Sequence, residues 1–275
     1  MDPATIGGIL VAFGSLIVMT VMEGGNPAGL VLPAPMILVL GGSIGVGIAS
    51  TTLPAAIAAV KALPEAFLFK RRPAVKTIDE LVSLAETARK QGLLALEGEA
   101  AKVDDPFLRK ALQNVADGMD AEELRTLLED EAAMRERRRR GSAKFFNALG
   151  GFAPTVGIMG TVVSLTHVLE NLSNPATLGH SIAGAFIATL WGVMSANFMW
   201  LPIGARMNTL ADLEAERLTL LIEGVMALQS GAKPRVLGEK LLAMVPESEQ
   251  GASAKSSEKG RASATAAPAA AEAVA

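Results

Sequence analysis

The side chains best suited to chemistry in the apolar parts of this chain are hydroxyls. Thr161 and Thr189 lie within two apolar segments whose interiors contain no Asp, Glu, Lys or Arg. Measured along each helix from its charged end, the two hydroxyls lie at similar depth. Two hydroxyl oxygens at one level can coordinate an ion or hydrogen-bond a carboxylate of another chain. In the alternative interpretation, each hydroxyl bonds to the carbonyl four residues back in its own helix.

The composition argues against an ordinary soluble enzyme and against nucleic-acid binding. The chain has no Cys, which excludes a disulfide scaffold, a thiol nucleophile and a Cys-based metal site, and its 2 His argue against a multi-His metal site. Charged residues make up 19% of the chain, below the share of about 25% in soluble domains. The net charge of −3 lacks the basic excess of a nucleic-acid binder. These counts make an ordinary soluble enzyme a poor interpretation of the chain.

The elements that must position these hydroxyls are helices in a membrane. Each apolar segment is close to the length of about 20 residues that crosses a bilayer as a helix. The segments are 5–22, 33–53, 147–169 and 181–204. All 25 Lys and Arg fall in 61–144 and 206–261, which the positive-inside rule places in the cytoplasm. The sequence therefore predicts a multi-pass inner-membrane protein with cytoplasmic N- and C-termini.

We expect an all-α membrane protein, with four transmembrane helices and a helical cytoplasmic insert between helices 2 and 3. Helical patterns in the insert cover about 77–101, where Thr77 and Glu80 suggest a capping box, 105–118 and 120–147. The tail has too little apolar content to fold and is predicted to be disordered. The predicted regions are 1–53 (helices 1 and 2), 54–146 (cytoplasmic), 147–204 (helices 3 and 4), 205–246 (cytoplasmic helical extension) and 247–275 (tail).

Small residues recur at a spacing of four in three of these helices, a pattern that lets helix backbones approach closely. For the second helix we expect packing within the chain, and for the third and fourth also contact with another chain. The stripes are Gly41, Gly45 and Ala49; Ala153, Gly157 and Thr161; and Gly184, Ala188, Gly192 and Ala196. Pro154 and Pro202 lie near the inner ends of the third and fourth helices, where each is either a hinge or a mechanically silent kink.

These motifs, in this order, resemble a known family. Residues 150–206 contain AP-x-x-G-x-x-GT, followed by LG-x-x-I-A-x-A-x-x-x-T-x-x-G-x-x-x-A-N-x-x-x-x-P. The chain is similar in these motifs to the MotA/TolQ/ExbB family. The two N-terminal helices, the long insert and the stretch KPRVLGEKLLAMVP resemble its flagellar stator form, MotA, or PomA in sodium motors, over roughly 1–246.

The resemblance implies a ring, thought to contain five copies, around two copies of MotB, whose membrane helix carries the ion-binding Asp. Ion flow then drives the ring against the rotor protein FliG. The resemblance thus implies a protein that is not an enzyme and holds no cofactor. The family's two coupling prolines correspond to Pro154 and Pro202. Its rotor-contacting Arg and Glu correspond, in A-R-K-Q-G-L-L-A-L-E, to Arg89 and Glu97. A generic solvated surface remains the alternative for that pair.

The resemblance leaves the ion open. Sodium-driven members have Thr where Thr161 stands, whereas protons are the commoner case and our first choice. One rival function is a TolQ/ExbB-like proton channel subunit that energises outer-membrane processes. A second is a membrane scaffold without an ion path.

Overall fold

The computed structural model describes residues 4–69, 72–170 and 175–246, and within these ranges the chain forms helices and no strand, as predicted. The predicted disordered tail, 247–275, lies outside the described residues. The helices are α1 (Ala4–Met22), α2 (Pro33–Met36), α3 (Gly42–Ala49), α4 (Leu53–Leu68), α5 (Ala74–Gln91), α6 (Leu96–Ala100), α7 (Pro106–Ala116), α8 (Ala121–Glu170), α9 (Pro175–Ser195), α10 (Leu201–Gln229) and α11 (Pro234–Leu242). Short 3-10 helices cover Pro27–Leu30 and Leu93–Ala95.

Two π turns interrupt the apolar helices. Ile37–Gly41 joins α2 to α3, and Ala196–Trp200 joins α9 to α10. Among the described residues, three helices are long and apolar enough to cross a membrane, with windows in Thr5–Met22, Ala121–Glu170 and Ser181–Gln229. The continuous helix Pro33–Ala49 is apolar but shorter. The first, third and fourth predicted spans therefore have helices of spanning length. The second span, 33–53, stays a prediction.

The chain divides into two compact units, and two of the three boundaries between them fall inside α8 and α10. The first unit comprises Met1–Lys70 and Arg135–Leu213, and the second Arg71–Met134 and Glu214–Ala275. In the first unit, a buried cluster joins α4 to α8 and α10. Its aromatic centre is Phe146, whose ring stacks on that of Trp200 with centroids 6.3 Å apart.

The second unit has a conventional leucine-rich core, because its helices each carry one apolar face. Its largest fully buried side chains include Leu81, Phe107, Leu112, Leu124 and Leu221. The expected capping box at Thr77 is wrong. Helix α5 begins one turn earlier, at Ala74, and Thr77 is a buried residue within it.

An ion-pair network in the second unit fixes the start of α7. Asp105 is the N-cap, and its Oδ1 accepts hydrogen bonds from the backbone N–H groups of Phe107, at 2.8 Å, and Leu108, at 3.3 Å. Its Oδ2 accepts from Arg217, which also donates to Glu214 at 3.0 and 2.8 Å. Burial alone would raise the pKa of Asp105, but Arg217 and the two N–H groups outweigh burial and hold the pKa below its ordinary value.

Candidate ion-pathway site

Helices α8 and α9 cross with their backbones in contact. A Cβ atom on Gly157 would lie 2.8 Å from the carbonyl oxygen of Ala188 and 3.0 Å from Cα of Gly192. A Cβ atom on Gly192 would likewise lie 2.8 Å from the carbonyl oxygen of Ala153. Only glycine fits at either position without displacing backbone atoms. As the stripes predicted, the small residues of the two helices thus pack together, Ala153, Gly157 and Gly160 of α8 against Ala188 and Gly192 of α9. Gly184 of the same stripe instead faces Leu32.

The crossing brings Thr161 and Thr189 together. Their hydroxyl oxygens are hydrogen-bonded to each other. The Thr161 hydroxyl also lies 3.0 Å from the carbonyl oxygen of Ala185 on the facing helix and 3.2 Å from that of Gly157 on its own helix. The own-helix bond that the alternative interpretation proposed is therefore one of three contacts. The role of the pair in ion passage stays a prediction.

The chemistry of this cluster is that of an oxygen-rich site. Each hydroxyl supplies one proton and two lone pairs, whereas the carbonyls only accept. Oxygen atoms from both helices thus converge at one level. Such a set suits a hard cation or a protonated carboxyl that donates into it. The described residues contain no group of three or more His, Cys, Asp or Glu that could hold a metal ion.

The two prolines occupy different backbone settings. Pro154 is partly buried inside the unbroken helix α8. Pro202 is the second residue of α10 and is separated by one residue from the π turn Ala196–Trp200. At the end of that turn the N–H of Leu201 bonds to the carbonyl of Ala196. Proline has no N–H, and its ring crowds the carbonyl four residues back. The wider π turn accommodates that ring.

An apolar pocket adjoins the π turn. It has a volume of about 390 Å³. Phe13 of α1 makes an edge contact with Phe198 beside it, with ring centroids 5.6 Å apart. Helix α1 is therefore in contact with the π turn but leaves space there. The pocket lining comprises Thr5, Gly8, Ile9, Ala12, Asn197, Phe198 and Pro202.

The stripe predicted for the second helix does not pack within the described residues. A Cβ on Gly41 or Gly45 would meet no atom within 4 Å. The packed face instead includes Gly47, which is buried against the side chain of Leu149 and leaves no room for a Cβ atom. The expectation of packing through Gly41, Gly45 and Ala49 is therefore wrong, because spacing alone does not tell which side of a helix meets its neighbours.

Arg89 and Glu97 are exposed, and neither makes an ion pair or side-chain hydrogen bond within the described ranges. Arg89 lies in the last turn of α5 and lines a pocket of about 270 Å³ together with Leu93 and Gln229. Between the two charged residues in sequence, Leu94 is 71% exposed. By contrast, Arg125 in the same unit pairs with two glutamates. Arg89 and Glu97 are thus available to an outside partner.

Sequence reasoning missed Trp191. Its indole Nε1 donates a hydrogen bond to the carbonyl of Leu30, at 2.7 Å. The sequence feature that could have identified it is a Trp inside an apolar segment, because the indole N–H must find a hydrogen-bond acceptor there. The acceptor itself, a backbone carbonyl far away in sequence, leaves no trace in the pattern.

Comparisons with known proteins agree with this architecture. Residues 99–219 match the model of the MotA/TolQ/ExbB proton channel family. Motility protein A of Bacillus subtilis is 35% identical, over 90% of this chain and 92% of its own length. Chemotaxis protein PomA of Vibrio alginolyticus is 32% identical, over 88% of this chain and 94% of its own length.

Two solved stator structures are similar along most of the chain. The C. jejuni MotAB structure superposes with a TM-score of 0.86 at 29% identity, covering 90% of this chain and 96% of that one. The flagellar MotAB stator complex from Bacillus subtilis gives a TM-score of 0.83 at 30% identity, covering 89% and 97%. The likeness extends through both units and confirms the resemblance predicted from the motifs. The chain therefore belongs to the MotA/TolQ/ExbB proton channel family, together with its motility protein A members.

Proposed function

We propose that this chain is a stator subunit of a bacterial flagellar motor, which forms an ion channel with a MotB-type partner and converts ion-motive force into torque. The observation that carries the proposal is the similarity, over about nine tenths of the chain, to motility protein A and to MotAB stator structures. The relatives named PomA and motility protein A share that length.

The ion path in this proposal passes the oxygen cluster at Thr161 and Thr189. The apolar segments carry no internal carboxylate, so the partner's membrane helix supplies the Asp that binds the ion. In this proposal, that Asp, protonated or bound to sodium, is hydrogen-bonded by the Thr161 and Thr189 hydroxyls or shares a ligand with them. Protons are the first choice for the ion and sodium the second. The chain itself holds no cofactor.

The proposed topology has four transmembrane helices, with both termini and the regions 54–146 and 205–246 in the cytoplasm. All 25 Lys and Arg lie on that side. Several copies, five in the proposal, surround two MotB-type chains. The π turn before Pro202 and the partly buried position of Pro154 within α8 support a hinge role for these prolines. The exposed, unpaired Arg89 and Glu97 support contact with the charged surface of FliG.

The proposal is tested by expressing the chain, with its cognate partner, in flagellated cells that lack their own stator. We expect motility to return, and Pro154→Ala with Pro202→Ala to abolish it while the protein still reaches the membrane. A protonophore should stop swimming if protons drive the motor, and removal of sodium should stop it if sodium does. Restored outer-membrane transport without motility would instead favour a TolQ/ExbB-like role.

A further inference from the structure

Helix α9 is tied to the segment that precedes α2 by a single strong contact. The Trp191 Nε1 donates to the Leu30 carbonyl at 2.7 Å. Leu30 is the last residue of the 3-10 helix Pro27–Leu30, which Asn26 caps through a 2.9 Å bond to the N–H of Ala28. A carbonyl at the end of a short helix has no partner within it, and in an apolar environment an unpaired carbonyl is costly. The indole thus satisfies a group that would otherwise need water.

A second contact lies on the same face of α9. Gly184 and Trp191 are seven residues apart, so they project from one side of the helix. A Cβ on Gly184 would lie 3.9 Å from Cδ1 of Leu32, an ordinary van der Waals distance. This face of α9 therefore lies along Leu30–Leu32 over two turns.

The opposite side of α9 faces α8. Thr189 is two residues before Trp191 and therefore projects from nearly the opposite side of the helix. On that side Ala185 and Gly192 contact Thr161 and Gly157 of α8. Helix α9 is thus held between α8 and the Leu30–Leu32 segment. A rotation that releases Trp191 from Leu30 also moves the Thr189 hydroxyl away from Thr161.

We propose that Trp191 is a positioning residue for the oxygen cluster: its hydrogen bond to Leu30 sets the rotation of α9 that keeps Thr189 against Thr161 and thereby tunes the affinity for the driving ion. The proposal rests on the ion path described above. In this proposal Trp191 acts through the orientation of helix α9 and is not itself a ligand of the ion.

The first experiment measures position without reference to ion flow. The chain has no Cys, so Leu32→Cys with Gly184→Cys introduces its only two thiols, and their disulfide yield in the partner-bound complex in membranes reports how closely α9 lies to this segment. We expect Trp191→Phe, which keeps the ring and removes the N–H, to lower the disulfide yield at least twofold. Trp200→Phe is the matched control, because the Trp200 Nε1 is buried without a hydrogen-bond partner in the described part of the chain. An unchanged yield with Trp191→Phe overturns the proposal.

The second experiment measures ion dependence. Swimming speed is recorded against external sodium and, separately, against external pH. Trp191→Phe is expected to shift the half-saturating concentration of the driving ion about two- to tenfold, the range that one net hydrogen bond supplies, with the maximal speed kept. A purely structural role would lower the amount of protein and the maximal speed instead.

A double-variant cycle separates failure of this proposal from failure of the ion path. In a Thr161→Ala background the Trp191→Phe shift should vanish, because both act through one pair. A shift that persists undiminished overturns the positioning role. If Thr161→Ala and Thr189→Ala are themselves without effect on ion dependence while the disulfide yield still falls, the ion path through this pair is wrong although Trp191 does hold α9.

Discussion

The two compact units are stabilised by opposite means. The second unit buries large side chains such as Phe107 and Leu112 and adds ion pairs around Arg217. The membrane helices of the first unit instead meet at glycines, with Gly157 against Gly192. In water, burial of apolar area drives packing, whereas lipid is as apolar as Leu and leaves only close contact and hydrogen bonds. Loss of side-chain volume should therefore harm the second unit, and added volume the first.

The largest expected effect on stability comes from emptying the core of the second unit. Phe107 is fully buried, so Phe107→Ala should lower the free energy of unfolding by about 3–5 kcal/mol. Denaturant unfolding of the protein in detergent measures the change. The control is Leu94→Ala, because Leu94 is 71% exposed. Equal effects of the two variants would contradict the assignment of this core.

Next in size is the Asp105 network. Asp105→Ala removes the N-cap of α7 and the partner of Arg217, which should cost about 2–4 kcal/mol. Asp105→Asn keeps an N-cap oxygen and should cost less. Asp120→Asn is the control, because Asp120 caps α8 on an exposed surface. If the two Asp105 variants were equally destabilised, charge rather than capping would be the main contribution.

The same carboxylate predicts a pH dependence. Its folded pKa lies below the ordinary value, so the stabilisation is fully present above the ordinary carboxyl range, near about pH 4. It is lost as the pH falls through the folded pKa. Unfolding measured from about pH 6 down to about pH 3 should show less loss of stability in Asp105→Asn than in the parent protein. An identical slope in both would mean that other carboxylates cause the acid sensitivity.

At the helix crossing, adding a single methyl group is expected to be harmful. Gly157→Ala places a Cβ 2.8 Å from a backbone carbonyl, and overpacking of this kind costs about 1–3 kcal/mol. Because the clash separates α8 from α9, motility should fall more than protein abundance. Gly151→Ala is the matched control, since its Cβ would meet nothing within 4 Å. Full motility with Gly157→Ala would contradict the close crossing.

The parts that could be predicted from the sequence are those with a local or periodic cause. Equal depth along two antiparallel helices sufficed to pair Thr161 with Thr189, and the amphipathic pattern sufficed for α5, α7 and the start of α8. The sequence did not predict where a helix begins, or which side of it is buried, at positions where contacts with a neighbouring segment decide this. The Gly41 stripe is exposed, Thr77 lies inside its helix, and the partner of Trp191 is a distant backbone carbonyl.

We expect the smallest change in stability from substitution of Arg89, the residue for which we propose contact with the rotor. Arg89 has no ion-pair or hydrogen-bond partner among the described residues, so Arg89→Glu should alter the free energy of unfolding by no more than about 0.5 kcal/mol. Torque should nevertheless fall, and a reversed charge on the rotor should partly restore it.

The neighbouring Lys90 supplies the control for that variant. Lys90→Glu makes the same change in net charge, at an exposed residue of the same helix turn that lies 3.9 Å from Glu86. If both variants reduce torque equally, the rotor senses the general charge of this surface and not a specific side chain. If only Arg89→Glu does so, Arg89 serves contact with the rotor and not folding, in contrast to Asp105, whose charge helps to hold the second unit together.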